Sequence, residues 1–107
     1  MSHEMTRLPS QEFFESLIAK GVPHEHLVIV RFTATWCGPC QKVKDAALLA
    51  GRPDAEWYVC DIDENDYTAG YCGVKTIPCF QAIVDGVPKP LFQSSDTAKI
   101  VEWARSL

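Results

Sequence analysis

The sequence predicts an α/β domain in which a central mixed β-sheet of four to five strands carries helices on both faces. Three runs predict strands, at residues 26–32, 55–62 and 76–84, and the first of them, β-branched and mostly apolar, is expected to be buried on both faces. A helix-forming segment separates the first two, and a connection of this length between apolar strands is typical of a βαβ unit. Asp85-Gly86 after the third run indicates a hairpin, so the sheet is expected to be mixed.

Length and charge narrow the class of protein. The 107 residues suit one domain, residues 1–107, and a hydrophobic content of 47% suffices for a core. A formal charge of -4 with scattered Lys and Arg argues against nucleic-acid and anionic-membrane partners. There is no apolar run of roughly 20 residues and no basic-then-apolar N-terminus, and five cysteines are an odd number. We therefore expect a cytoplasmic monomer in a reducing compartment.

Helix caps and breakers set the remaining elements. Residues 3–8 allow a short edge strand, and Ser10 is the expected N-cap of a helix that Gly21 and Pro23 end. Residues 40–50 are rich in helix formers and predict a second helix.

The C-terminal half predicts two more helices. One runs from a turn at residues 63–66 to about Cys72, where Gly73 ends it, and residues 94–96 cap the last one. Between them lie the 76–84 strand, which tolerates Pro78 near its start, and a hairpin strand at about residues 88–93.

A dithiol motif, Trp36-Cys37-Gly38-Pro39-Cys40, follows the first buried strand. Two cysteines at this spacing can share one disulfide, although zinc ribbons use the same spacing. A zinc site would need two more thiolates or imidazoles, but Cys60 is expected in a strand and the three histidines lie at no ligand spacing. We therefore expect redox chemistry with no metal and no bound cofactor.

The stretch from Phe32 to Cys40 resembles the active-site signature of thioredoxins, and the likeness extends over almost the whole chain. It includes Asp61-Ile62-Asp63, the segment Val74-Lys75-Thr76-Ile77-Pro78 and the Asp-Gly turn. The resemblance implies the thioredoxin fold and a protein-disulfide oxidoreductase. Such a protein takes electrons from a reductase, here thioredoxin reductase, and passes them to disulfide-containing target proteins.

The two cysteines have different expected roles. Cys37 begins a helix, where free backbone N–H groups and the helix dipole favour a thiolate, so it is the expected nucleophile. In thioredoxin this pKa is about 7, against about 8.5 for free cysteine. Cys40, one turn further, is expected to be shielded and to resolve the mixed disulfide. Gly38 and Pro39 hold the helix-start geometry, and the N–H that Pro39 lacks would be unpaired there in any case.

The resemblance also assigns the residues around the dithiol. Trp36 is expected to flank the reactive sulfur, with its indole bonded to Asp63. Ile77-Pro78 is identified as the cis-proline turn, which together with Thr76 offers backbone groups to a substrate chain.

Two positions depart from the family. A buried Asp usually lies six residues before the first cysteine, where this chain has Arg31, and its partner Lys is replaced by Val59. If Arg31 points at the dithiol, its charge favours a thiolate and makes the protein more oxidising. If its stem covers the core and its head lies in water, the site has only lost a proton acceptor. We favour the second hypothesis because an unpaired buried guanidinium is costly, with Asp61 as a candidate partner.

Other departures concern the helix and the remaining thiols. Asp45 replaces the proline that usually kinks the helix after the motif, so we expect a straighter helix. Cys60 and Cys79 are expected in the core and Cys72 partly exposed. The unusual Arg31 and Val59 also leave open a second function, a thioredoxin-fold binding or regulatory module with weak or no turnover.

Overall fold

The computed structural model describes residues 5–18 and 27–107. Its six strands are β1 (Thr6–Arg7), β2 (Val28–Thr33), β3 (Glu56–Asp61), β4 (Cys79–Val84), β5 (Val87–Pro88) and β6 (Phe92–Gln93). Its five helices are α1 (Gln11–Ile18), α2 (Gly38–Gln41), α3 (Asp45–Gly51), α4 (Asp66–Cys72) and α5 (Thr97–Arg105). Within these residues no helix is long and apolar enough to cross a membrane.

The strands form one mixed sheet in the order β1-β3-β2-β4-β5, with β6 also paired to β4. β2 is parallel to β3 and antiparallel to β4. The prediction of a single strand over residues 88–93 is wrong, because two short strands, β5 and β6, lie there instead. The described residues therefore form six strands. The interruption contains Pro90, which has no N–H to donate and cannot continue a strand ladder.

Strand β2 is buried on both faces, as its continuous apolar run predicts. Val28, Val30 and Phe32 pack into one core cluster with residues of α1 and α4. Ile29 points to the opposite side and packs with residues of α3 and α5. The dithiol therefore follows a strand whose first five residues are all buried.

The single helix predicted over residues 40–50 is also wrong, since a break separates α2 from α3. Lys44 is extended there, with φ -99° and ψ 103°. Its N–H donates to Thr97 Oγ1 at 3.2 Å, so it does not donate to the Cys40 carbonyl one turn earlier. The helix is thus interrupted although no proline is present at the break. The prediction of a straighter helix is therefore wrong.

The predicted caps and turns are confirmed where the structure describes them. Ser10 and Asp96 each accept a hydrogen bond from the backbone N–H three residues later, at 3.1 and 3.2 Å. Gly73 ends α4 in the left-handed region at φ 79°. Asp85 and Gly86 both have positive φ, 51° and 78°, as a two-residue hairpin turn requires. The helix end at Gly21 and Pro23, and all three histidines, lie outside the described residues.

Gly51 gives a test of the packing between α3 and α5. A Cβ at this position would lie 2.7 Å from Val101 Cγ1 and 3.2 Å from Cγ2. Because χ1 of valine is stiff in a helix, the methyl groups cannot swing away. We expect Gly51→Ala to lower the free energy of unfolding by about 1–3 kcal/mol, measured by urea denaturation.

Gly70→Ala is the matched control, since among the described residues a Cβ there meets no atom within 4 Å apart from its chain neighbours and the backbone of its own helix. It should be neutral or stabilising by about 0.5–1 kcal/mol, because alanine is the better helix former. Adding Val101→Ala should recover part of the loss in Gly51→Ala. If Gly51→Ala is as stable as the wild type, the proposed close contact is wrong.

Candidate active site

Cys37 and Cys40 lie where β2 gives way to α2, and they form a disulfide with a Cα–Cα distance of 5.3 Å. Cys37 is the N-cap of α2, and its Sγ accepts a hydrogen bond from the Cys40 N–H at 3.2 Å. Both cysteines are buried, at 4% exposed for Cys37 and 0% for Cys40, but only Cys37 lines a surface groove. The predicted pairing and the predicted shielding of Cys40 are both confirmed. A backbone N–H directed at Cys37 Sγ would also stabilise a thiolate there.

The opposite wall of the site is the turn before β4. Its Ile77-Pro78 peptide bond is cis, as the resemblance implies, and Cys37 Sγ lies 3.8 Å from the Ile77 carbonyl oxygen. The strand predicted from Thr76 begins only at Cys79, because the residues before it form this turn. A groove of about 420 Å³ separates the turn from the start of α2. It is lined by Trp36, Cys37, Gly38, Pro39, Ile62, Ala69, Val74, Lys75, Thr76 and Ile77.

Trp36 stands beside the disulfide with 65% of its surface exposed. Its Nε1–H donates to Asp63 Oδ2 at 2.8 Å, which confirms the bond that the resemblance implies. Asp63 is held in turn, since its backbone N–H donates to Asp61 Oδ1 at 2.9 Å. This second link was not predicted, although an Asp that accepts from the N–H two residues on is a common turn feature. Asp61 therefore orders the loop that orients Trp36.

Arg31 is buried behind the dithiol, with 6% of its surface exposed. Its Nη2–H donates to the Cys40 carbonyl oxygen at 2.8 Å, and its Nη1 forms an ion pair with the Asp45 carboxylate. The favoured hypothesis, which placed the Arg31 guanidinium in water, is therefore wrong. The prediction that Asp61 would pair with Arg31 is also wrong, because the partner is Asp45. The side chain of a central strand residue meets the helix layer, where Cys40 and Asp45 offer acceptors that offset its desolvation.

Burial lowers the pKa of the Arg31 guanidinium below its ordinary value. Its Nε has no hydrogen-bond partner among the described residues. Its neighbours in the sheet register are Val59 of β3 and Phe80 of β4, which bring no charge. Among these contacts only the Asp45 carboxylate, which lies in the helix layer, compensates the charge of Arg31. The side chain of Asp45 is 52% exposed.

The three other cysteines are free thiols in or near the core. Cys60 and Cys79 are buried and Cys72 is partly buried, as predicted. Burial raises the pKa of Cys60 to about 11 and that of Cys72 to about 12, and it also raises the pKa of Cys79. All three are therefore poor nucleophiles near neutral pH, because the thiolate is the reactive form.

Comparison with known proteins agrees with this geometry. The family model named Thioredoxin matches residues 5–106. The chain is 35% identical over 98 residues to thioredoxin of Gallus gallus, which covers 90% of each protein. Its fold superimposes on the crystal structure of Fasciola hepatica thioredoxin with a TM-score of 0.82 at 31% identity, covering 95% of this chain and 98% of that one.

A second solved structure is similar over nearly its full length. Schistosoma mansoni thioredoxin matches with a TM-score of 0.81 at 28% identity, covering 98% of this chain and 96% of that one. The matched family model, the relatives and the Cys37–Cys40 disulfide at the end of β2 agree with one another. The chain therefore belongs to the thioredoxin family and is a dithiol–disulfide oxidoreductase that acts on protein disulfides.

Proposed function

We propose that the protein works as a reductant, with Cys37 as the nucleophile and Cys40 as the resolving cysteine. The observation that carries this assignment is their unequal access to the groove, since Cys37 lines it and Cys40 is fully buried. A target sulfur that enters the groove meets Cys37 first. Cys40 can reach a mixed disulfide only from within the protein.

The exchange then proceeds in two substitutions. The Cys37 thiolate attacks one sulfur of a target disulfide, the target S–S bond breaks, and the released thiolate takes a proton from water. Cys40 loses its proton and attacks Cys37 Sγ, the bond between Cys37 and the target breaks, and the second target sulfur leaves as a thiolate that takes up a proton. Two electrons have moved to the target, and the Cys37–Cys40 disulfide remains.

The walls of the groove suit an extended polypeptide substrate. Exposed Trp36 offers apolar surface on one side, and the turn that contains Thr76 and Ile77 offers backbone groups on the other. Contacts of this kind recognise backbone more than side chains, so a range of target proteins can be accepted.

We further propose a cytoplasmic monomer that takes electrons from thioredoxin reductase, and so contributes to electron transport and cell redox homeostasis. One chain contains both cysteines and both walls of the groove, which supports a monomer. Three free thiols suit a reducing compartment. Family membership supports a reductase as the electron donor.

An insulin-reduction assay with dithiothreitol tests the assigned roles. Cys37→Ser should abolish the rate above that of dithiothreitol alone. Reduced Cys40→Ser that is freed of dithiothreitol and then mixed with insulin should accumulate a mixed disulfide, visible by mass spectrometry, because the resolving sulfur is missing. Cys72→Ser is the matched control and should retain the wild-type rate. If the wild type shows no rate above that of dithiothreitol that depends on Cys37, the binding-module hypothesis is favoured instead.

The electron donor is tested separately by following NADPH consumption in the presence of insulin. Thioredoxin reductase should support turnover, and glutathione with glutathione reductase should support much less. Faster turnover with the glutathione system would refute the proposed reductase while leaving the dithiol chemistry intact.

The raised pKa values predict selective alkylation of the reduced protein by iodoacetamide. With a pKa of about 12, about one Cys72 thiol in ten thousand is ionised at pH 8. Cys37 should therefore be labelled first, and labelling of Cys72 should rise about tenfold per pH unit between pH 8 and 11. Peptide mass spectrometry gives the rates, and a Cys72 rate at pH 8 equal to that of Cys37 would contradict this.

A further inference from the structure

Arg31 contacts the dithiol through the backbone of Cys40, with its Nη2–H donating to the Cys40 carbonyl oxygen. We infer that Arg31 is a positioning residue for the resolving cysteine: held by Asp45, it anchors the Cys40 carbonyl and places a buried positive charge beside the dithiol that favours the reduced form. The inference rests on disulfide exchange itself and is independent of the proposed reductase.

The anchoring follows from the break between α2 and α3. In a continuous helix the N–H of Lys44 would donate to the Cys40 carbonyl, but here it donates to Thr97. The Cys40 carbonyl instead accepts from the N–H of Val43 at 3.2 Å and from Arg31 Nη2 at 2.8 Å. Arg31 thus connects the resolving cysteine to the central strand, and its hydrogen bond stands in the place of the one that Lys44 would donate in a continuous helix.

The electrostatic effect follows from unequal burial of the ion pair. The Arg31 side chain is 8% exposed and that of Asp45 is 52% exposed, so water screens the carboxylate far more than the guanidinium. The two register neighbours of Arg31 on β3 and β4 are apolar and cancel none of its charge. A net positive potential therefore remains at Cys40.

The sign of the effect on the redox equilibrium follows directly. The disulfide carries no charge, whereas the reduced dithiol can ionise to a thiolate, so a nearby cation stabilises the reduced form alone. The protein should therefore be more oxidising than a variant without this charge. The same charge favours ionisation of Cys40, and the proton that Cys40 loses is balanced by the proton that the departing target thiolate takes up. The Cys40 thiolate then attacks Cys37 Sγ as described above.

The test measures the equilibrium constant between each variant and the glutathione redox pair. Arg31→Met keeps much of the side-chain volume but removes the charge, and it should shift the equilibrium about tenfold toward the disulfide, which corresponds to about 30 mV. Asp45→Asn removes the compensating anion and should shift it several-fold the other way, toward the dithiol. Arg31→Lys keeps the charge and should lie closer to the wild type than Arg31→Met.

The opposite signs separate an electrostatic role from a structural one. Both variants break the same ion pair, so loss of structure alone would move the two constants in the same direction. That result, or an unchanged constant in Arg31→Met, would overturn the inference.

Asp54→Asn is the matched control. Asp54 is also an exposed carboxylate paired with an arginine, at 3.6 Å from Arg52 Nε. It precedes β3, which is parallel to β2, so it lies at the end of the strands opposite to the dithiol. The equilibrium constant between Asp54→Asn and the glutathione pair should equal that of the wild type. If Arg31→Met does not fold, Asp45→Asn against Asp54→Asn decides: a shift toward the dithiol in Asp45→Asn alone supports the inference, and equal constants refute it.

Discussion

The burial of β2 on both faces is the constraint on which the site depends. β2 lies between β3 and β4, and its residues contribute to the core clusters on both sides of the sheet. Movement of β2 would disrupt two clusters at once, so its C-terminal end is a fixed point. Because β4 is antiparallel to β2, the start of β4 lies beside the C-terminal end of β2, with Cys79 opposite Phe32. This register brings the Ile77-Pro78 turn against Cys37.

A charged residue in such a strand creates an energetic problem that shapes its surroundings. A buried guanidinium that is left without a partner is strongly destabilising, whereas an intact ion pair contributes little net stability. Arg31 is therefore tolerated only because Asp45 and the Cys40 carbonyl are both in reach. The helix break belongs to this arrangement, since it places Asp45 in the first turn of α3 and leaves the Cys40 carbonyl able to accept from Arg31.

Local patterns in the sequence predicted most of the elements and the chemistry of the site. Ser10 and Gly73 mark helix ends because capping and left-handed backbone depend on nearby atoms. The dithiol motif was identifiable because its residues are contiguous. Arg31 and Asp45 are 14 positions apart and share no local pattern, so their pairing could not be predicted. The same holds for the helix break, which depends on Thr97, more than fifty positions further along the chain.

The interrupted hairpin strand has a consequence for association between copies of the chain. An open sheet edge with regular N–H and C=O groups is a template for pairing with another sheet. Here β5 and β6 are two residues long, and Pro88 and Pro90 remove donors from that edge. At the other edge, β1 has two residues and ends at Arg7, which pairs with Glu64. Both edges of the described sheet thus resist edge-to-edge aggregation, which matters for the extended substrates proposed above.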